Sequence, residues 1–185
     1  MDINIWLVVG IVVVIVIISI YNSLVTSYKK VERSRSLVDI YLKKRFDLIP
    51  NLVEAVKGYM NHENETLTKI AELRTSWANA STVHEKAELD NQLSGALKTI
   101  MAVSENYPEL KANQNFSELQ EELRNTENKI SYARQFYNDS VTMYNTKIEL
   151  FPANIVASMF RFVAEELFKT DSEEARKNLK VDFSK

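Results

Sequence analysis

From Ile5 to Ile20 the chain carries no charged residue and no proline, only Ile, Val, Leu, Trp, one Gly and one Ser. At ~1.5 Å of rise per residue, a helix over Ile3–Tyr21 covers roughly 28 Å, about the hydrocarbon thickness of a bilayer. Trp6 and Tyr21 stand at its two ends, where amphipathic rings favour the water–lipid boundary. In water the many β-branched residues weaken a helix; in lipid the cost of unmet backbone hydrogen bonds enforces one. The expectation is a membrane anchor over residues 5–21, preceded by a short exported N-terminus, residues 1–4.

The flanks set the expected orientation. Asp2 is the only side-chain charge before the run, whereas Lys29, Lys30, Arg33, Arg35, Lys43, Lys44 and Arg45 follow it. Positive flanks stay on the cytoplasmic side, which predicts a single-pass protein of the cell membrane, N-terminus out and C-terminal domain cytoplasmic. A cleaved signal peptide needs a basic start, a shorter apolar core and a small-residue cleavage site; Ser19-Ile20-Tyr21 supplies none of these. Trp6, Tyr21, Lys29, Lys30 and Arg33 are the candidate membrane-interface residues.

Beyond the anchor, the 185-residue chain keeps enough length for one domain with a substantial core. Three Gly and three Pro leave little room for a many-stranded sheet and suit long helices with short loops. The net charge of −2 is uneven: residues 1–60 hold eight Lys/Arg against five Asp/Glu, so the remainder is acidic. Nucleic-acid binding needs a basic face, so no nucleic-acid partner is expected. With no cysteine, disulfides and thiolate metal sites are excluded.

Apolar residues then recur at helical steps. Leu24, Tyr28, Val31, Val38, Leu42, Ile49, Val53 and Val56 form one stripe, in line with the anchor. Pro50 predicts a kink or restart near Phe46–Pro50. Leu67, Ile70, Leu73 and Trp77 predict a helix over about 63–78; Ser81 or Thr82 is the expected cap of the next, with Glu85 three residues after Thr82 as a capping-box partner. Leu89, Leu93, Ala96 or Leu97, and Ile100 mark that helix, which Tyr107-Pro108 terminates. The run Phe116, Leu119, Leu123, Thr126, Ile130, Ala133, Tyr137, Val141, Tyr144 and Ile148 keeps heptad-like steps with one four-residue insertion, predicting a helix of about 35 residues that Pro152 ends. The fold class is therefore all-α: a single N-terminal transmembrane helix, an antiparallel four-helix bundle over 22–152, an amphipathic C-terminal helix over 153–169 and a charged tail over 170–185. The apolar face Ile155–Phe168 either plugs the bundle or meets lipid or a second copy; Glu165 and Glu166 speak against lipid.

Catalytic patterns are missing. The two histidines, His62 and His84, lack the Glu-x-x-His spacing of a di-iron bundle, and His62-Glu63 has Thr66 where a zincin has its second histidine. Glu121-Glu122 and Glu165-Glu166 are sequence neighbours, so on a helix they diverge rather than face one substrate. No catalytic residue, metal site or cofactor is predicted. The most patterned polar segment is Leu42–Tyr59. Its Arg45, Asp47, Asn51, Glu54 and Lys57, with Glu127 and Arg134 of the long helix, predict either a polar latch that registers two helices or a partner-docking patch, because a charge buried beside the stripe needs a partner. Glu122, Thr126 and Asn128 are further candidates.

The chain resembles the LemA family of bacterial membrane proteins. The likeness rests on Tyr21-Asn22-Ser23-Leu24-Val25, Asp47-Leu48-Ile49-Pro50-Asn51-Leu52-Val53, Tyr107-Pro108-Glu109-Leu110, Thr126-Glu127-Asn128, Ala133-Arg134, Tyr137-Asn138, Tyr144-Asn145, Phe151-Pro152 and Val181-Asp182-Phe183. Arg161 departs from it, standing where a small residue is expected. The resemblance implies an N-out, C-in anchor, an antiparallel four-helix bundle and no established enzymatic activity or ligand. The functional expectation is a non-enzymatic membrane-anchored scaffold or adaptor of the bacterial envelope, with an envelope protein or a second copy as partner; the alternative is a membrane-remodelling protein that engages lipid directly.

Overall fold

All regular elements of the computed structural model, which describes residues 2–59 and 64–168, are helices. His62 and the charged tail with Val181 and Phe183 lie outside the described residues. The described residues divide into two units, one within 1–48 and 118–167, the other within 49–117 together with Phe168.

In the first unit, α1 (Asp2–Asp47) runs 46 residues without interruption, about 69 Å at the standard rise. Its N-terminal part is apolar and long enough to cross a membrane, and none of that window is buried. Its C-terminal half buries Leu24, Val31, Val38, Leu42 and Phe46, the predicted stripe with Phe46 added. The second long member, α6 (Gln114–Glu149), has 36 residues and buries Leu123, Thr126, Ile130, Ala133, Tyr137, Val141 and Tyr144. Burial of such side chains, about 1.5–3 kcal/mol each, sustains helices of this length more than propensity does. The two run antiparallel: Lys147 meets Ser27 and Arg45 meets Glu127, so eighteen residues up α1 match twenty down α6.

Between the long helix and the strap that follows lies α7 (Ala153–Met159). Its Val156 and Ala157 bury against Leu24, with Ile17, Ile20, Ile148 and Phe162 packed around them. The helix expected over 153–169 is thus seven residues long, and its end has a clear cause. Phe162 N–H donates to the Ala157 carbonyl (2.9 Å) and Arg161 N–H to that of Ser158 (3.3 Å), the paired bonds of a Schellman turn. Arg161 occupies the left-handed position of that turn, φ 57°, which glycine normally takes. The small residue expected there is therefore a backbone requirement that this chain meets with arginine. Residues 162–168 continue without regular structure.

The second unit starts where Leu48 breaks the helical run and α2 (Ile49–Lys57) restarts with Pro50 in its first turn, which is where proline costs no hydrogen bond. It buries Ile49, Leu52 and Val56. Next come α3 (Asn64–Asn79) and α4 (Val83–Ser104), packed on each other, with α2 against α3 and the single turn α5 (Pro108–Lys111) against α4. Their core is Leu67, Ile70, Leu73, Ala87, Leu93, Leu97, Ile100, Leu110 and Phe116. The Thr82 hydroxyl accepts from Glu85 N–H (3.1 Å), and the Glu85 carboxylate accepts from the backbone N–H of Thr82 and of Ser81. Those two N–H donors, Thr82 first, hold the Glu85 carboxyl below the usual range.

Candidate functional site: the polar seam and strap

The strap 162–168 returns along α6, whose side chains take up its backbone groups. Asn145 Nδ2 donates to the Glu165 carbonyl (2.8 Å), and Glu165 N–H donates to Asn145 Oδ1 (2.9 Å). Tyr144 Oη donates to the Val163 carbonyl (2.9 Å) and Tyr137 Oη to that of Glu166 (2.8 Å). A strand-like segment without a neighbouring strand would leave these groups unpaired, at a cost comparable to a lost hydrogen bond each. The Glu165 carboxylate turns inward to pair with Arg35, whose guanidinium also lies 6.0 Å from the Tyr137 ring centroid. Burial pushes both phenols up from their ordinary value, and the Glu165 carboxylate adds to this at each, while Arg35 opposes it at Tyr137. Arg35, despite burial, is raised by Tyr137 and Glu165.

Nearer the apolar end of α1, Lys147 Nζ donates to the Ser23 carbonyl (3.1 Å) and the Ser27 hydroxyl (3.0 Å). Tyr28 lies 5.7 Å from Tyr144 by ring centroids. At the far end of the same unit, Arg45, only 4% exposed in its side chain, pairs with Glu127 Oε2 (2.7 Å). Lys44 pairs with Glu122 Oε1 (2.5 Å), and its ammonium holds the Glu122 carboxyl below the usual range, with help from Lys129. Tyr41, Glu122, Asn125, Asn128, Lys129 and Tyr132 line an open groove of about 340 Å³ there. Mixed amide, phenol and paired charge suit a groove of this kind to holding a polar chain segment. No nucleophile–base pair lines it.

The predicted site residues separate. Arg45 and Glu127 meet directly, and Arg134 lies half-buried on the same α6. Asp47 pairs instead with Lys43 (2.8 Å) on the exposed side of α1. Asn51, Glu54 and Lys57 are exposed on α2 of the other unit, where Ile49, Leu52 and Val56 face inward. Thr126 is buried and its hydroxyl makes no hydrogen bond among the described residues. Of the interface candidates, Trp6 is exposed, and Tyr21 sits against Phe160 (4.7 Å between centroids) and Phe162 (5.9 Å). Lys29 pairs with Glu32 (2.7 Å), Lys30 lies over Phe136 at 5.7 Å, and Arg33 is exposed.

Sequence reasoning missed Arg35, Asn145, Lys147 and the inward turn of Glu165. One signal was present: Tyr137-Asn138 and Tyr144-Asn145 repeat at heptad spacing, and a buried tyrosine hydroxyl needs a partner.

Comparison with known proteins gives the family. The LemA family model matches residues 34–183. Protein LemA of Metamycoplasma hominis is 31% identical over 141 residues, 74% of this chain and 63% of that protein. Magnetosome protein MamQ 2 of Paramagnetospirillum magneticum is 25% identical over 175 residues, 80% of this chain and 64% of the relative. MamQ of Magnetospirillum gryphiswaldense is 24% identical over 174 residues, with the same coverage. The chain thus spans less than two thirds of the length of these curated relatives. With the match running through both the Arg45–Glu127 end of α6 and the strap, the chain belongs to the LemA family.

Proposed function

We propose that this protein is a non-enzymatic scaffold held at the bacterial cell membrane by α1, its body cytoplasmic and available to a protein partner. One observation carries the reading: the apolar segment and the arm that pairs with α6 are a single unbroken helix, Asp2–Asp47. A continuous helix of this kind transmits position stiffly, as a flexible tether of Gly and Ser does not. The groove between Tyr41 and Tyr132 then stands roughly 30 Å beyond Tyr21 along the same helix, from the helical rise, clear of the head groups and open to a partner. Its polar, half-paired lining favours a protein segment over a lipid chain.

Photo-crosslinking in intact cells tests this. A photoreactive residue at Tyr132 or Asn128 captures a defined protein, an envelope component or a second copy, that the same residue at Met143 does not capture. Recovery of the same adducts from all three positions, or of no protein adduct from the groove positions, rejects the scaffold reading.

A further inference from the structure

We propose that the corner between α6 and α7, Leu150–Phe160, is a second membrane contact: an uncharged apolar surface that rests at the acyl–head-group boundary beside α1 and fixes the first unit against the bilayer. It rests on the reading of α1 as membrane-spanning and adds a surface to it.

The composition is the first argument. No residue from Leu150 to Phe160 is charged, in a chain in which 26% of residues are. The second is exposure. Leu150, Phe151, Ile155, Met159 and Phe160 are 59%, 79%, 55%, 63% and 49% exposed while Val156 and Ala157 face α1. One face of α7 is therefore used for packing, and the opposite face, where Ile155 and Met159 stand with the uncharged Asn154 and Ser158, is covered by nothing among the described residues of its unit. Contiguous apolar surface of this kind marks an interaction site.

Position on α1 identifies the occupant. Val156 and Ala157 share a cluster with Ile17 and Ile20, within about one helical turn, ~5–6 Å, of Tyr21 on its lipid side. That depth matches an amphipathic helix in the interface plane, buried ~5–10 Å. Phe160 lies directly on Tyr21, so the corner continues the surface that the span itself presents. A soluble partner would have to reach below the boundary to cover it.

The acidic residues that argued against lipid are elsewhere. Glu165 pairs with Arg35, fourteen residues beyond Tyr21 on α1, about 21 Å above the boundary. Glu166 is placed by Tyr137, beside the same arginine. The strap climbs away from the membrane immediately after Phe162, taking both carboxylates with it.

Because the chain has no cysteine, single sites can be labelled cleanly. Full-length Val12→Cys, Ile155→Cys, Met159→Cys and Tyr132→Cys variants carry an environment-sensitive fluorophore in nanodiscs of phosphatidylethanolamine and phosphatidylglycerol holding one copy each. Expected is quenching of the Ile155 and Met159 labels by lipids brominated near the head group, with aqueous iodide acting severalfold less on them than on the Tyr132 label. If those two labels respond to iodide as Tyr132 does while Val12 is quenched by lipid, the corner is not a membrane contact and the span stands. If Val12 is also iodide-accessible, both readings fall. Iodide shielding without bromolipid quenching in these discs overturns the proposal, as does shielding that appears only in discs loaded with two copies, which assigns the surface to a second copy.

Discussion

Asn145 and Glu165 form a two-way pair, the amide of one donating to and accepting from the backbone of the other at 2.8 and 2.9 Å. The arrangement reproduces a rung of a sheet with a side chain in place of the second strand. Removing it with Asn145→Ala leaves the Glu165 N–H and C=O unpaired in a half-buried position. The expected cost is about 1–3 kcal/mol, concentrated in the strap. Hydrogen exchange at residues 162–168 checks it: protection is lost there first, while Leu123–Val141 of α6 stays protected. Equal loss along α6 shows that the strap is not a separable element.

Arg161 holds a left-handed backbone that costs an ordinary residue about 1 kcal/mol or more, and its side chain is exposed. Arg161→Gly removes the strain without removing a packed group. The expected outcome is stabilisation by about 1 kcal/mol, roughly 2–4 °C in Tm for a chain of this size, with Arg161→Ala giving no comparable gain. A destabilised glycine variant shows instead that the arginine side chain makes a compensating contact.

What the sequence disclosed follows from what is local. Helical periodicity marks Leu123, Ile130, Ala133 and Val141 because a helix repeats its face every few residues. The Thr82–Glu85 cap and the break before Pro50 are legible because both act within four residues. The end of α7 is different. Phe160 and Phe162 are drawn to Tyr21, some 140 residues earlier, and the backbone turns at Arg161 to satisfy them. The strap has no periodicity, and its hydrogen bonds come from side chains 19–29 residues back. In α2 the stripe keeps Ile49 and Val56, but Leu52 is buried where Val53 is expected; both lie within about one turn of Ile49, and spacing alone does not choose between them. Of the site, Arg45 with Glu127 was reachable through the rule that a charge near the core needs an opposite one, and Glu122 and Asn128 as polar candidates on the same long helix.

That pair differs in kind from its neighbour Lys43–Asp47. Arg45 is 4% exposed and Glu127 48%, whereas Lys43 and Asp47 are 65% and 55% exposed. Solvent screens the second pair, and exposed i,i+4 pairs couple by about 0.3–0.5 kcal/mol. Losing one partner of a buried pair costs more because it strands a desolvated charge; with Glu127 half in water, the expected coupling is about 1–2 kcal/mol, between the exposed and buried limits. Double-mutant cycles on Arg45→Met/Glu127→Gln and Lys43→Met/Asp47→Asn, read by chemical denaturation, measure both. Equal couplings mean that the burial of Arg45 confers nothing.

Alkaline pH acts on the strap through Tyr137 and Tyr144. Burial, with Glu165 adding to it, raises both phenols in the folded protein, while in the unfolded chain they titrate near 10, approximately the unperturbed value. The folded state therefore binds more protons than the unfolded state above that pH, and stability falls as pH rises. The contribution of the two hydroxyls is complete below pH ~10 and is lost as pH climbs through the raised folded values. The physical event is loss of the donors to Val163 and Glu166, since a phenolate repels a carbonyl oxygen that its O–H had bound. Tyrosinate absorbance should show two of the eight tyrosines ionising late, one disappearing in Tyr137→Phe and the other in Tyr144→Phe. Ionisation of all eight in one step near the ordinary value, with residues 162–168 still protected from protease, contradicts the assignment of these hydroxyls as the clasps of the strap.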